Sequence, residues 1–292
     1  QGMEQLSQTA AENTMQSINT HLKILIALMV SLGLLITGYQ IYVLDIPVRE
    51  DETDDIWSLD ARFEFQATQG VPVKAQMFIP PLTQDFISLN ESFISNNYGV
   101  SINQVQGNRR VTWSARRAGG KQALYYRLVL TKRYSEEAQR PPAPALRQPI
   151  PLEGSEQVAA EALINPIRQH SADIETFISE TIRRVNDITD DNVKLLLGRS
   201  STVLDKARVI DLLLSNARIP LELVHTIRLE ASTGQEPELW LRSHNGDRWL
   251  YFHPETGQQG MPDNRLVWWT GNQPLFTIEG GRQPRVSFTI NN

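Results

Sequence analysis

One uncharged stretch, from Ile24 to Leu44, constrains the fold of this chain more than any other feature. Its 21 residues carry no charged side chain, and an α-helix needs about 20 apolar residues to cross a hydrocarbon core of roughly 30 Å. We therefore predict a single transmembrane helix over residues 24–44. A cleaved signal peptide is the competing interpretation, but its apolar region is shorter and ends in small residues, whereas residues 39–44 are bulky. A buried core helix is a third possibility.

The charges on either side of this stretch predict its orientation. The preceding tail, residues 1–23, is polar and ends with His21 and Lys23, whereas residues 45–56 form an acidic tether. Positive charge favours the cytoplasmic side of a membrane helix. We therefore expect residues 45–292 to lie on the non-cytoplasmic side.

After the tether, apolar residues recur at every second position. In the segment SLDARFEFQAT, Leu59, Phe63 and Phe65 alternate with polar residues such as Asp60 and Arg62, which is the pattern of a half-buried strand. Further short runs of this kind follow, and glycine-containing turns separate several of them. Several short strands joined by turns predict a small antiparallel β-sandwich domain over residues 57–134.

A proline-rich segment marks the end of this region. Five prolines fall within the twelve residues from Arg140 to Pro151. Proline has no backbone N–H and a fixed φ, so such a segment neither joins a sheet nor continues a helix. We therefore place a linker at residues 135–153 and a second domain at residues 154–292.

The second domain shows helical patterns first and strand patterns afterwards. The segments SADIETFISETIRRVND and TVLDKARVIDLLLSNA each place apolar residues on one helical face. Ser171 or Asp173 can cap the first helix, and Ser201 or Thr202 the second. Strand-like segments follow, and Asn245-Gly246 predicts a hairpin turn between two of them. Helices followed by antiparallel strands predict an α+β fold.

Composition excludes several classes of function. The net charge of −5 argues against nonspecific nucleic-acid binding as the main role. The chain contains no cysteine, so it has no disulfide, no thiolate metal site and no thiol nucleophile. His225, His244 and His253 lack the spacing of a zinc site, and no nucleotide-binding glycine motif is present. We therefore expect no metal and no cofactor.

Two sets of residues are candidates for binding. The segment from Ser101 to Arg133 holds eight basic residues and no acidic one, which predicts a surface for a lipid headgroup, a phosphate or an acidic peptide. A solvated sheet face, balanced by the acidic tether, is the alternative. Aromatic residues of the last strands predict a ligand groove, although such residues more often fill a core. The anionic-surface candidates are Arg109, Arg110, Arg116, Arg117 and Lys121, and the ligand-binding candidates are Trp240, Trp249 and Arg242.

Three places in the second domain resemble transglutaminase-like cysteine enzymes. A helix ends in Ile219-Pro220, a strand contains Leu239-Trp240, and a tryptophan-containing strand runs into the sequence HPET that begins at His253. In that family these places flank a catalytic cysteine, histidine and aspartate. The resemblance therefore implies a transglutaminase-like, papain-like α+β domain over residues 154–292.

The resemblance also implies that all three catalytic positions have changed. They correspond to Val203 for the cysteine, Glu238 for the histidine and His253 for the aspartate. The family's reaction needs a thiolate activated by an adjacent imidazolium. Val203 has no lone pair with which to attack, and Glu238 cannot act as an imidazolium. We therefore expect a domain with no catalytic residue.

The resemblance is closest to bacterial membrane proteins described as an inactive transglutaminase fused to seven transmembrane helices. It covers most of residues 24–292 and includes, in order, ESFISNNYGVSI, NRRVTWSAR, NDITDDNVKLLLG, DRWLYFHPETG and EGGRQPRVSFTI. It implies an inner-membrane protein with residues 45–292 in the periplasm. No stretch after Leu44 is apolar enough to span a membrane. We therefore expect either that this chain is a fragment of a longer protein that carries the family's C-terminal helices, or that the family's membrane half is absent and a separate membrane partner takes its place.

These observations favour one function over two others. The favoured one is a noncatalytic periplasmic sensor that recognises a peptide, envelope component or partner protein and is coupled to membrane helices. The first alternative is a structural or assembly module of an envelope peptide-modification system, since family members often accompany an ATP-grasp ligase-like enzyme and an aspartic-protease-like protein. The second is a hydrolase that uses Glu238 and His253 as relocated acid and base. No nucleic-acid partner is expected.

Overall fold

Contacts divide the chain into two units, Gln1–Thr53 and Asp54–Asn292. The computed structural model describes residues 27–35, 37, 39, 56–81, 85–133 and 148–292. In the first unit, the described residues form one helix, α1 (residues 27–35, 37 and 39), with exposed side chains. Within the described ranges, no helix combines the length and the apolar character needed to span a bilayer.

Several sequence-based expectations fall outside the described residues. They concern the remaining positions of the predicted membrane segment (24–26, 36, 38 and 40–44), the tail 1–23, the tether up to residue 55, and the linker up to residue 147. The described end of the linker, residues 148–153, has no regular secondary structure.

The second unit consists of two groups of strands with a group of helices between them in the chain. The first strands are β1 (Ile56–Ala67), β2 (Val73–Ile79), β3 (Phe86–Ile94), β4 (Gly99–Val105), β5 (Asn108–Ala115) and β6 (Gly120–Lys132). The helices are α2 (Gly154–His170), α3 (Ile174–Val185), α4 (Asp191–Leu197) and α5 (Val203–Asn216). The later strands are β7 (Leu221–Arg228), β8 (Ser232–Gln235), β9 (Glu238–His244), β10 (Trp249–Phe252), β11 (Arg265–Thr270), β12 (Phe276–Glu279) and β13 (Gly281–Asn291).

These strands form three antiparallel sheets. Sheet A has the order β3-β6-β1-β13-β8, sheet B the order β12-β2-β5-β4, and sheet C the order β10-β9-β7-β11. Sheets A and B face each other, because inward residues of both share one apolar core. The described residues therefore form a mixed α and β fold with antiparallel sheets, as the sequence predicts.

Strand β1 lies at the centre of sheet A. Its residues alternate between buried and more exposed positions along its whole length, which confirms the period of two in the sequence. It pairs with β6 on one side and with β13 on the other. The partner β13 comes from the end of the chain. Ala61 lies directly opposite Phe288, so this pairing joins the two ends of the second unit and is not a local hairpin.

Residues 57–134 do not form the predicted sandwich alone. Strands β8 and β13 complete sheet A, and β12 forms one edge of sheet B, although all three follow the proline-rich linker. The reason is that β1 and β2 each have an open side, and only the last strands of the chain fill it. The contacts accordingly join residues 54–292 into one compact unit.

Sheet C connects the sandwich to the helices. Leu223 and Leu241 pack in the core formed with the helices, whereas Trp268 of β11 is fully buried in the sandwich core. The Trp268 indole N–H donates to the Phe78 carbonyl at 2.7 Å, and its ring centroid lies 4.8 Å from that of Phe288. A buried indole that finds a backbone acceptor adds direction to its apolar contacts, so sheet C is fixed against the sandwich.

The helix starts follow the capping residues in the sequence. Asp173 caps α3 and Thr202 caps α5, each through a capping box. The predicted alternatives, Ser171 and Ser201, do not have this role, and Ser171 instead follows the end of α2. The predicted Asn245-Gly246 turn is confirmed, because β9 and β10 pair as an antiparallel hairpin around it.

A charged group lies inside the sandwich at its β3 side. The Glu91 carboxylate accepts two hydrogen bonds from the Arg109 guanidinium, at 3.0 and 2.8 Å. It also accepts one from the hydroxyl of fully buried Tyr126, at 2.8 Å. The Arg109 and Glu91 side chains are only 12 % and 17 % exposed. An ion pair this far from water is costly to break, because removing one partner leaves a buried charge unpaired.

We expect Glu91→Ala to lower the free energy of unfolding by about 3 kcal/mol, because Arg109 and Tyr126 lose their shared partner. The matched control is Glu64→Ala, which removes the exposed Arg62–Glu64 pair and should change stability by less than about 1 kcal/mol. Urea unfolding of the full chain in detergent, followed by tryptophan fluorescence, measures both. Equal effects of the two substitutions would contradict a buried role for Glu91.

Candidate functional site

The three residues that the resemblance places at catalytic positions line one open cavity. Val203 begins α5, Glu238 begins β9, and His253 directly follows β10. They surround a space of about 440 Å³, which we call the cleft. Its other lining residues are Leu204, His225, Pro237, Leu239, Pro254 and Glu255. The cleft is therefore not filled by side chains of the described residues.

The cap of α5 fixes the position of Val203. The Thr202 hydroxyl accepts from the backbone N–H of Asp205 at 3.2 Å, and the Asp205 carboxylate accepts from the Thr202 hydroxyl at 2.6 Å. Ser200 also donates to Asp205. Hydrogen bonds from Ser200 and then Thr202 lower the pKa of Asp205. Since the cap holds the first helical turn, the Val203 side chain occupies a fixed place in the wall of the cleft.

Glu238 is held between two guanidinium groups. Arg228 donates to one carboxylate oxygen at 2.9 Å, and Arg265 forms an ion pair with the other oxygen. Arg265 is 8 % exposed, whereas the Glu238 side chain is 40 % exposed. Each carboxylate oxygen thus forms an ion pair with an arginine, which fixes the Glu238 side chain in the wall of the cleft. The arrangement does not favour Glu238 as a general acid or base.

His253 is oriented by the turn that follows β10. Its Nδ1 accepts from the backbone N–H of Glu255 at 3.3 Å, so in the neutral ring the proton is on Nε2. Its ring lies edge-on to Trp240, with 5.4 Å between the centroids. His253 therefore faces the cleft together with Val203, but Val203 has no proton that a base could remove.

A second cavity adjoins the cleft. It has a volume of about 420 Å³ and shares Leu204, His225 and Pro237 with the cleft. The His225 ring stacks on Trp269 with 3.7 Å between the centroids, and its Nε2 lies 3.1 Å from the Gly271 carbonyl. Burial lowers the pKa of His225 to about 4. His225 is therefore neutral at pH 7, and Nε2–H donates to Gly271.

One protein-family model matches more than half of the chain. A family model described as an inactive transglutaminase fused to 7 transmembrane helices matches residues 39–200. The chain belongs to this family. The match confirms the resemblance found in the sequence. Together with the absence of cysteine, it also confirms that the transglutaminase-like domain is inactive. The matched range ends before Val203, so the cleft of this inactive transglutaminase lies in the part of the chain that follows.

A solved structure supports the fold of the inactive transglutaminase. The crystal structure of a candidate cysteine protease from Cytophaga hutchinsonii matches with a TM-score of 0.54 and 12 % sequence identity. The match covers 81 % of this chain and 91 % of the other. An identity this low shows a shared fold alone, which agrees with the papain-like arrangement expected from the sequence. None of the curated proteins matches the chain.

The predicted ligand-binding residues of the inactive transglutaminase do not line the cleft. Trp240 is buried beside His253. Arg242 forms an ion pair with Glu222 at 2.7 Å, and its guanidinium carbon lies 4.5 Å from the Trp249 ring centroid. The structure thus brings Arg242 and Trp249 together on sheet C, away from the cleft. Their role in binding stays a prediction.

The predicted anionic surface is divided between the two ends of β5. Arg109 is buried with Glu91, and the Nε of Arg110 is buried without a hydrogen-bond partner among the described residues. Arg116 and Arg117 are exposed in the turn between β5 and β6, and Lys121 is exposed at the start of β6. The first two arginines lie near the start of β5 and the other three cations lie after its end. The roughly six strand residues between the two groups span about 20 Å, so the five cations do not form one patch. Among the described residues, no group of three or more potential metal ligands occurs.

Sequence reasoning missed the contribution of His225 and Trp269 to the cavities. In the sequence, His225 matters only for the exclusion of a zinc site, and Trp269 is only one of the aromatic residues of the last strands. One signal is the position of His225 within a largely apolar strand segment, LVHTI, where a polar ring needs a partner. The partner comes from β11, and no spacing in the sequence relates the two strands.

The buried His225 predicts a pH dependence of stability. Its pKa is lower in the folded state, about 4, than the ordinary 6.5. The unfolded chain therefore binds a proton first as pH falls, and stability is lost between pH 6.5 and 4. The loss amounts to at most about 3 kcal/mol. We expect His225→Gln to abolish this part of the pH dependence.

Urea unfolding at pH 7.5, 5.5 and 4.5 measures the effect. His170→Gln is the matched control, because it removes an exposed histidine at the end of α2 instead of the buried one. Acid-sensitive carboxylates contribute equally to all three proteins, so the difference between variants isolates His225. A His225→Gln protein with an unchanged pH dependence would contradict a buried neutral imidazole.

Proposed function

We propose that this chain is a noncatalytic recognition module in which the cleft binds a ligand. The observation that carries the proposal is the open space of about 440 Å³ between Val203, Glu238 and His253. Ligand pockets usually have volumes of about 300–1,000 Å³. Loss of the nucleophile removes acyl transfer but leaves the walls of the cleft in place. A fold kept only for its shape would be expected to fill this space with larger side chains.

The charges around the two cavities indicate which ligands fit. Glu236 and Glu255 are exposed in the lining, and no ion pair to either is found in the described part of the chain. The lining arginine Arg208 is paired with Asp205 at 3.3 Å. His225 is neutral at pH 7. The lining thus has excess negative charge, which supports a neutral or cationic peptide-like ligand over an anionic one.

We expect Val203→Trp to weaken ligand binding at least tenfold, because an indole at this position occupies part of the cleft. The control is Val158→Trp on α2, where the side chain is 67 % exposed and lies outside both cavities. Calorimetric titration of the full chain in detergent with pools of uncharged, basic and acidic tetrapeptides measures binding. If no pool binds, or if both variants bind equally, recognition by the cleft is wrong.

We also propose that residues 24–44 anchor the module in the bacterial inner membrane, with residues 45–292 in the periplasm. The support is the uncharged sequence of this segment and the family's description as fused to transmembrane helices. In this proposal, ligand binding in the cleft is passed to membrane helices of the same protein or of a partner. The helix α1 described over residues 27–35, 37 and 39 falls within the segment.

The orientation is tested by adding protease to spheroplasts. We expect residues 56–292 to be degraded while a tag placed before Gln1 is protected, because only the periplasmic side is reached. Lysed spheroplasts, in which both sides are reached, are the control. Protection of residues 56–292 in intact spheroplasts would overturn the proposed orientation.

An assembly role is the second candidate. It is favoured by the exposed cations Arg116, Arg117 and Lys121, for which no ion pair is found in the described structure. Such a group supports docking of an acidic partner. The ATP-grasp ligase-like and aspartic-protease-like proteins that accompany the family are the first partners to consider. This role does not require the cleft, so it predicts that Val203→Trp leaves binding of the acidic partner unchanged.

A further inference from the structure

Strand β4 is an edge of sheet B with no partner on its outer side. It pairs with β5 through all seven of its residues, Gly99 to Val105. No other described strand pairs with it. Six of its seven residues are exposed. The outer side of β4 therefore presents a row of unpaired backbone donors and acceptors to the solvent, which is a template for another strand.

The other edges in the described structure carry protective features that β4 lacks. Strands β8, β10 and β12 have four residues each, and short edges pair poorly. Strands β3 and β11 have register irregularities, which bend an edge away from a partner. The pairing of β4 with β5 is regular throughout. Its sequence, GVSINQV, contains no proline and no charge.

The chain segment that contains β4 is also low in charge, and the nearest basic residues, Arg109 and Arg110, lie on the inner neighbour β5 opposite Gln104 and Asn103. From Phe86 to Asn108, the only charged residue is Glu91, and this carboxylate is held by Arg109 and Tyr126. On β4 itself, Val100 and Ile102 are 41 % and 43 % exposed. Natural edge strands usually carry lysine or another charge that prevents pairing with a second molecule. This edge has no such obstacle.

We propose that β4 pairs with β4 of a second copy of this chain, antiparallel and centred on Ile102. In that register Ile102 faces Ile102 of the second copy, and Ser101 faces its Asn103. The apolar pair lies at the two-fold axis, and polar pairs flank it on the opposite face of the sheet. Sheet B then continues from four strands into eight across the dimer.

The neutrality of the edge favours a second copy over a charged partner. A partner strand bearing acidic or basic residues would meet no opposite charge on β4. Two identical neutral strands pair without repulsion, and the two-fold arrangement closes so that no further copy is added. A contact of one seven-residue strand pair buries less than the roughly 1,000 Å² typical of stable interfaces. The dimer is therefore weak and depends on concentration.

The absence of cysteine from the chain permits a direct test by cross-linking. In Ile102→Cys, the two sulfurs come from residues directly opposite each other, whose Cα atoms are about 4.5–5.5 Å apart in an antiparallel pair. That separation suits a disulfide. Mild oxidation of the full chain in detergent should give at least fivefold more covalent dimer than Ile87→Cys. Ile87 is equally exposed, at 40 %, but lies on the irregular edge β3.

A charge-swap experiment tests the same register by affinity. Ile102→Lys alone and Ile102→Glu alone place like charges opposite each other and should weaken dimerisation at least tenfold in sedimentation equilibrium. An equimolar mixture should restore the dimer, because opposite charges then meet. Equal cross-linking of Ile102→Cys and Ile87→Cys, or a mixture that remains as dissociated as the single variants, would overturn the proposal.

Discussion

The pairing of β1 with β13 is the contact on which the rest of the structure depends. It places Phe63 opposite Val286 and brings the last strands of the chain into both sheets of the sandwich. Strand β11 is held against the same body by the hydrogen bond from Trp268 to Phe78. Since β11 pairs with β7 and β7 with β9, the strand that carries Glu238 is fixed by contacts that begin in the first strand.

Local signals in the sequence predicted the elements whose causes are local. The alternation in β1 follows from side chains that point to opposite faces, and the starts of α3 and α5 follow from Asp173 and Thr202. Helix α2 was not predicted, because Pro166 lies within it and obscures its pattern. The short strands β8 and β12 were also missed, since four residues give too little pattern and their pairing partners are distant in the chain. For the same reason, the sequence placed a domain boundary where the sheets are continuous.

The candidate site shows the same limit. The sequence, read through its family resemblance, placed Val203, Glu238 and His253 at equivalent catalytic positions, and the structure brings all three to one cavity. The environment of each could not be predicted, because it comes from other strands. The arginines at Glu238 come from β7 and β11, and the aromatic partner of His225 comes from across a β-bulge.

The β1–β13 pair also decides how the folded unit responds to force. Ser58 lies opposite Asn291, so the chain enters and leaves the second unit at the same end of two adjacent strands. Tension applied between those two points opens an antiparallel pair one hydrogen bond at a time, because the load falls on the bonds in sequence. Shear along the strands would instead load all of them together. A pull through both ends of this unit would therefore separate β13 from β1 at low force, and the core beneath Phe288 would be exposed first.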